Sequence, residues 1–125
     1  MHTIAWLLLL AAFLPYGCAI LAKVAGQGFD NHAPRVWLAR QTGWRARADA
    51  AQQNLFEGLP LYYAAVLFAW LGRGVQADAL VAWMIIWVVL RVGYVVTYVM
   101  DRAALRSLLW ALALAANLWI LFGLR

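Results

Sequence analysis

Four apolar stretches dominate the chain: residues 4–22, 48–71, 79–100 and 103–124. Each is close to the roughly 20 residues that a helix needs to cross a hydrocarbon core of about 30 Å. Together they use most of the 125 residues, so little chain is left for anything outside a bilayer. In lipid the backbone must satisfy its own hydrogen bonds, which leaves helices as the way to span with stretches of this length. The expected fold is therefore all-α: an integral membrane four-helix bundle forming a single domain over residues 1–125. Composition agrees. The chain is 67% hydrophobic and 12% charged, where soluble domains are about half apolar and about a quarter charged. A water-soluble protein this small could not hide such an excess of apolar surface.

Charge sets the expected orientation. The connection 23–47 carries Lys23, Arg35, Arg40, Arg45 and Arg47, and Arg102 and Arg106 flank the tight turn between the last two stretches. Positive charge beside spans marks the cytoplasmic side. Both termini and the connection 72–78 are then non-cytoplasmic, with Arg73 and Arg125 as the exceptions. The net charge of +5 thus reads as topology, and nucleic acid is not expected as a partner. The first stretch lacks a basic start and is too long for a signal-peptide core, so a retained helix is expected. Of the eight tryptophans, Trp6, Trp70, Trp83 and Trp119 fall toward one set of helix ends and Trp37 and Trp44 toward the other, an interfacial belt. Trp87 and Trp110 lie deeper, placed to pack or to line a groove. Pro15 and Pro60 fall inside helices as tolerated kinks. Cys18 is the single cysteine and His2 and His32 are isolated, so no metal site is expected.

The costly residues are the polar ones inside the spans. At about 100° per residue, Arg47, Asn54 and Glu57 share one face of the second span, while Asp49 and Gln53 share another. Arg91, Tyr94 and Tyr98 share a face of the third. Counted at about 1.5 Å per residue from the basic ends, Glu57 and Arg91 lie at equal depth, as do Asn54 and Tyr94. A Glu57–Arg91 ion pair is the first structural expectation. These matched layers read equally as glue between helices or as a pocket for an anionic ligand, in which arginines grip carboxylates and tyrosines line the wall. Arg106 lies one turn inside the fourth span and can point to that pocket. Asn117 stands alone in the same span, and a helix–helix hydrogen bond is its expected role.

Two strings in this set resemble a known family. Arg47-x6-Asn54-x2-Glu57-x2-Pro60 opens the second span, and Arg91-x2-Tyr94-x3-Tyr98 precedes Asp101-Arg102-Ala103-Ala104-Leu105-Arg106-Ser107. Their combination, with the four-span plan, resembles the membrane-associated proteins in eicosanoid and glutathione metabolism (MAPEG) over essentially the whole chain. Ala50 replaces an arginine of animal members, and Gly58 a frequent tyrosine. Arg106 lies one residue further from the second tyrosine than in the leukotriene-forming synthase. These departures look like the family's bacterial branch, which implies a multi-pass protein of a bacterial inner membrane. The resemblance implies a homotrimer that binds glutathione as co-substrate between subunits near the cytoplasmic face. It assigns Arg47, Asn54, Glu57, Arg91, Tyr94 and Tyr98 to the glutathione side, with Glu57 taking the amino group. Arg106 becomes the catalytic residue, beside the thiol, where a cation favours the thiolate. The implied activity is a glutathione-dependent transferase or peroxidase acting on lipophilic small molecules that enter from the membrane. The alternatives are a non-catalytic protein of the same fold that binds a lipid, a small anion or a partner, and a small transporter, for which no broken helices or paired repeats speak.

Overall fold

The computed structural model describes residues 2–124; Arg125, weighed above in the charge balance, lies outside them. The helices are α1 (His2–Lys23), α2 (Pro34–Ala39), α3 (Gly43–Leu67), α4 (Ala77–Val99) and α5 (Ala103–Leu118). All but the short α2 are long and apolar enough to cross a membrane. They run up and down, so α1 begins and α5 finishes at one end of the bundle, here called the terminal end. The turns that carry most of the cations lie at the other, basic end.

Helix α3 is the central element, packing against α1 and α4, while α5 lies along α4. Its buried face includes three alanines, Ala48, Ala51 and Ala65, all fully buried, and Ala69 continues it beyond the helix. Small residues let helix backbones approach closely, which is how helices associate where lipid removes the usual hydrophobic drive. The largest core cluster lies toward the terminal end and joins all four long helices through Ile4, Tyr62, Val66, Leu80, Met84, Trp87 and Ala116. Tyr62 and Trp87 stack there with ring centroids 3.8 Å apart. Nearer the basic end the clusters are small: Cys18, Ala51, Leu55 and Tyr94 form one, and Ala22, Trp37, Leu38 and Ala48 another.

Helix α3 begins at Gly43, before the expected residue 48. Thr42 is extended and Gly43 has φ +62°, so the chain reverses out of α2 and starts the helix early. Trp37 and Leu38 of α2 then cover Ala22 and Ala48. Trp37 is thus a buried packing residue, with its indole N–H donating to the Gln27 carbonyl, rather than a member of an interfacial belt.

Three arginines cap helix ends that are not their own. Arg45 donates to the carbonyls of Ala22 and Val24 at the end of α1, 3.0 and 2.8 Å away. Arg47 Nε donates to Val99 at the end of α4 at 3.1 Å. Arg73 donates to Leu121 and Leu124, beyond α5. Each guanidinium fills orphan carbonyls and meets the negative pole of a helix. At the terminal end α3 and α5 also finish alike, in wide turns at Phe68–Gly72 and Trp119–Gly123. In the second of these the Trp119 ring lies over Gly123, where a Cβ would come within 2.6 Å of it.

The turn between α4 and α5 is short because Asp101 takes a left-handed conformation, φ +61°. Asp101 N–H donates to Tyr98 and Arg102 N–H to Thr97, the paired bonds of a Schellman ending. Asp tolerates this region better than most residues. Its carboxylate comes within 3.7 Å of Arg47, forming the one ion pair among the described residues.

Only 22% to 33% of each spanning segment is buried. Large apolar side chains such as Phe13, Ile20, Val89, Val96 and Phe122 remain exposed on the bundle. In an aqueous protein this would be untenable; in a bilayer it is the surface that meets lipid.

Candidate functional site

The polar ladder expected from the sequence lies along one side of α4. Arg91, one helical turn before Tyr94, is 3% exposed. Its Nη2 donates to the backbone carbonyl of Asn54 and to that residue's Oδ1, both at 3.0 Å. Its guanidinium carbon lies 4.7 Å from the centre of the Tyr94 ring and 5.8 Å from that of Trp87. The Tyr94 and Tyr98 rings meet edge to face at 5.6 Å. The Arg106 guanidinium, reaching across from α5, lies 4.3 Å from the centre of the Tyr98 ring. Cations over aromatic faces are held by the ring quadrupole, so the series Arg91, Tyr94, Tyr98, Arg106 is one connected wall.

The expected Glu57–Arg91 ion pair does not form. Arg91 turns to Asn54, one turn nearer the basic end, and the Glu57 carboxylate stays exposed without a cation within 4.0 Å among the described residues. Gly58 is the local reason. A Cβ there would lie 3.3 Å from Arg91 Nη2, tighter than ordinary contact, so the missing side chain admits the guanidinium to Asn54.

Arg91 and Glu57 instead share a cavity of about 190 Å³ between α3, α4 and α5, bounded also by Asn54, Gly58, Trp87, Trp110 and Asn117. The site residues thus fall into three places. Asn54, Glu57 and Arg91 line the cavity. Tyr94, Tyr98 and Arg106 form the wall leading from it toward the basic end. Arg47 stands apart at the α4–α5 turn, bonded to Val99 and near Asp101.

Asn117 departs from its expected role. It is 4% exposed, its Oδ1 has no hydrogen-bond partner among the described residues, and it lines the cavity instead of linking helices. The sequence held the signal: Arg106, Trp110, Ala113 and Asn117 are spaced four, three and four apart, a single face of α5. Gly58, Trp87 and Trp110 also border the cavity. The second polar face of α3 is separate. Gln53 donates to Asp49 at 3.0 Å, and both border a larger cavity, about 660 Å³, against Lys23 and Arg35 of α1 and α2. No group of His, Cys, Asp and Glu suited to a metal ion occurs among the described residues.

These features define an integral, multi-pass membrane protein of four spanning helices with a charged cavity midway along its core. The MAPEG family profile matches residues 3–125, and the chain belongs to that family. Membership supports membrane chemistry of the glutathione-dependent transferase and peroxidase kind in general. Comparison with curated proteins and with solved structures gives no match.

Proposed function

We propose that the chain is a glutathione-dependent transferase or peroxidase acting on lipophilic electrophiles. In this reading it works as a homotrimer in a bacterial inner membrane, with its termini on the non-cytoplasmic side. The observation that carries the reading is that the buried cation and the acid beside it do not neutralise each other: Arg91 is held by Asn54, and Glu57 is left free at the same cavity. A purely structural pair would close on itself. An open pair suits a ligand with both charges, such as the amino and carboxylate groups of glutathione.

Glu57 takes the ammonium, Arg91 a carboxylate, and the tyrosine wall carries the peptide toward Arg106. Beside that cation the thiol gives up its proton more readily, and the thiolate is the nucleophile. In conjugation the sulfur forms a bond to the electrophilic carbon while the leaving group departs with its electron pair. With an epoxide the C–O bond opens instead, and the oxygen takes a proton from water. With a lipid hydroperoxide the thiolate attacks the terminal oxygen, the alcohol leaves, and a second glutathione converts the sulfenic acid to disulfide and water.

The test is calorimetric titration of glutathione into the purified protein, with oxidised glutathione and Arg91→Ala as controls. Saturable binding that Arg91→Ala loses supports the reading, and absence of binding at millimolar glutathione overturns it. One observation favours a second reading, a non-catalytic protein that binds a lipid, a small anion or a partner. Arg47 is already engaged by Val99 and Asp101, and Ala50 offers no replacement cation. Saturable glutathione binding without turnover of any standard electrophile or hydroperoxide would select it.

A further inference from the structure

The cavity holds more unmet hydrogen bonding than the residues assigned above account for. Arg91 Nε and Asn117 Oδ1 are both buried, and neither has a partner among the described residues. Buried donors and acceptors are nearly always paired, so each such atom asks for an explanation. Both belong to side chains that line the same 190 Å³ space. Gly58 adds no side chain to that space. The set of unpaired groups is mixed: a guanidinium N–H that donates, a carboxylate that accepts, and an amide oxygen that accepts. A bare inorganic anion would meet two acceptors for one donor. An acyl chain would satisfy none of them. A zwitterion with ammonium and carboxylate on one carbon satisfies all three.

We infer that Asn117 is a ligand-binding residue of this cavity, its Oδ1 accepting a hydrogen bond from the α-ammonium group of a thiol peptide beside the Glu57 carboxylate. The inference rests on the glutathione reading and adds to it a residue on α5. Arg91 Nε faces the α-carboxylate of the same amino-acid head. The amino-acid head occupies that space, and the rest of the tripeptide extends along the tyrosine wall. From Arg91 to Tyr98 the helix advances about 10 Å, close to the reach of three extended residues. The middle residue of such a peptide, which carries the thiol, then falls beside the rings of Tyr94 and Tyr98, where the Arg106 guanidinium lies. Asn117 therefore fixes the end of the ligand furthest into the bundle. It is a binding and positioning residue, three turns along α5 from the proposed reacting sulfur.

The test uses the full chain in detergent and two probes: glutathione, and its analogue in which hydrogen replaces the α-amino group. Asn117→Leu, close in volume, is expected to weaken glutathione about tenfold, the loss of one charge-assisted hydrogen bond, and to leave the deaminated analogue unchanged. Asn117→Asp is expected to shift the two probes in opposite directions, with glutathione held more tightly than by the native chain and the analogue held more weakly. Thermal unfolding of each variant identifies one that has failed to fold, in which case the other decides. If Asn117→Leu binds both probes as the native chain does, or if Asn117→Asp moves them together, the role of Asn117 is overturned while the glutathione reading stands. If no form binds glutathione, both fall.

Discussion

The two halves of this bundle use the same residue types for different ends. In the terminal half, aromatic rings and arginine are consumed by the structure itself: Tyr62 stacks flat on Trp87, and Arg73 spends its donors on the carbonyls of Leu121 and Leu124. In the basic half, Tyr94 and Tyr98 meet edge to face beneath guanidinium groups. There Arg91 keeps an unpaired donor and Glu57 an unpaired charge. The main core cluster lies in the first half, and only small clusters lie in the second. The lesson is that an intramembrane arginine is not in itself a site. What separates Arg91 from Arg73 is burial: Arg91 is buried with a donor left unpaired, whereas Arg73 is half-buried at a helix end.

The largest expected effect breaks the terminal half. Tyr62→Ala removes a fully buried ring and should cost on the order of 3 kcal/mol through lost packing and the cavity left behind, read as a fall in thermal stability in detergent. Tyr62→Phe should change stability by less than about 1 kcal/mol, because the lost hydroxyl has no partner. Next, in the basic half, Arg106→Ala should lower conjugating turnover on the order of a hundredfold, the scale of losing one preorganised charge at a reacting centre. Its thermal stability should hardly move; unchanged turnover would remove Arg106 from catalysis. Arg73→Gln sharpens the contrast from the other side. It should cost about 2 kcal/mol of stability from the lost charged caps while glutathione affinity in calorimetry stays at the native value. The smallest effects concern the turn. Asp101→Ala should cost about 1 kcal/mol from left-handed strain. Asp101→Gly, free of that strain, should lose only the weak pairing with Arg47, which an exposed partner keeps small. Equal melting temperatures for these two variants would show that φ at this position carries no strain.

Much of the site was visible as spacing. Asn54 and Glu57 on one helix, Arg91, Tyr94 and Tyr98 on another, and Arg106 on a third could be placed on faces by the period of the helix alone. What spacing could not resolve was choice among partners at similar depth. Axial counting matches Arg91 to Glu57, yet it bonds to Asn54, because a guanidinium on a long stem reaches one turn along a neighbouring helix and Gly58 leaves the path clear. Asn117 stands isolated in an apolar run, and its neighbours across the helix interface are not written in that run. Arg45 reads as a topology charge, Arg73 as an exception to the topology and Arg47 as a glutathione-side residue, whereas their carbonyl partners lie 21 to 52 residues away in sequence.

The sequence by itself determined that this chain lives in a membrane as four helices, because apolar length is set by the thickness of the solvent and backbone polarity by its dryness. It also determined the family, through residues held at fixed intervals on helix faces. Only the tertiary structure decided which of those residues keep free hydrogen-bonding capacity. Donors and acceptors are used up by whatever the packing of other helices brings within about 3 Å, and no local pattern contains that distance.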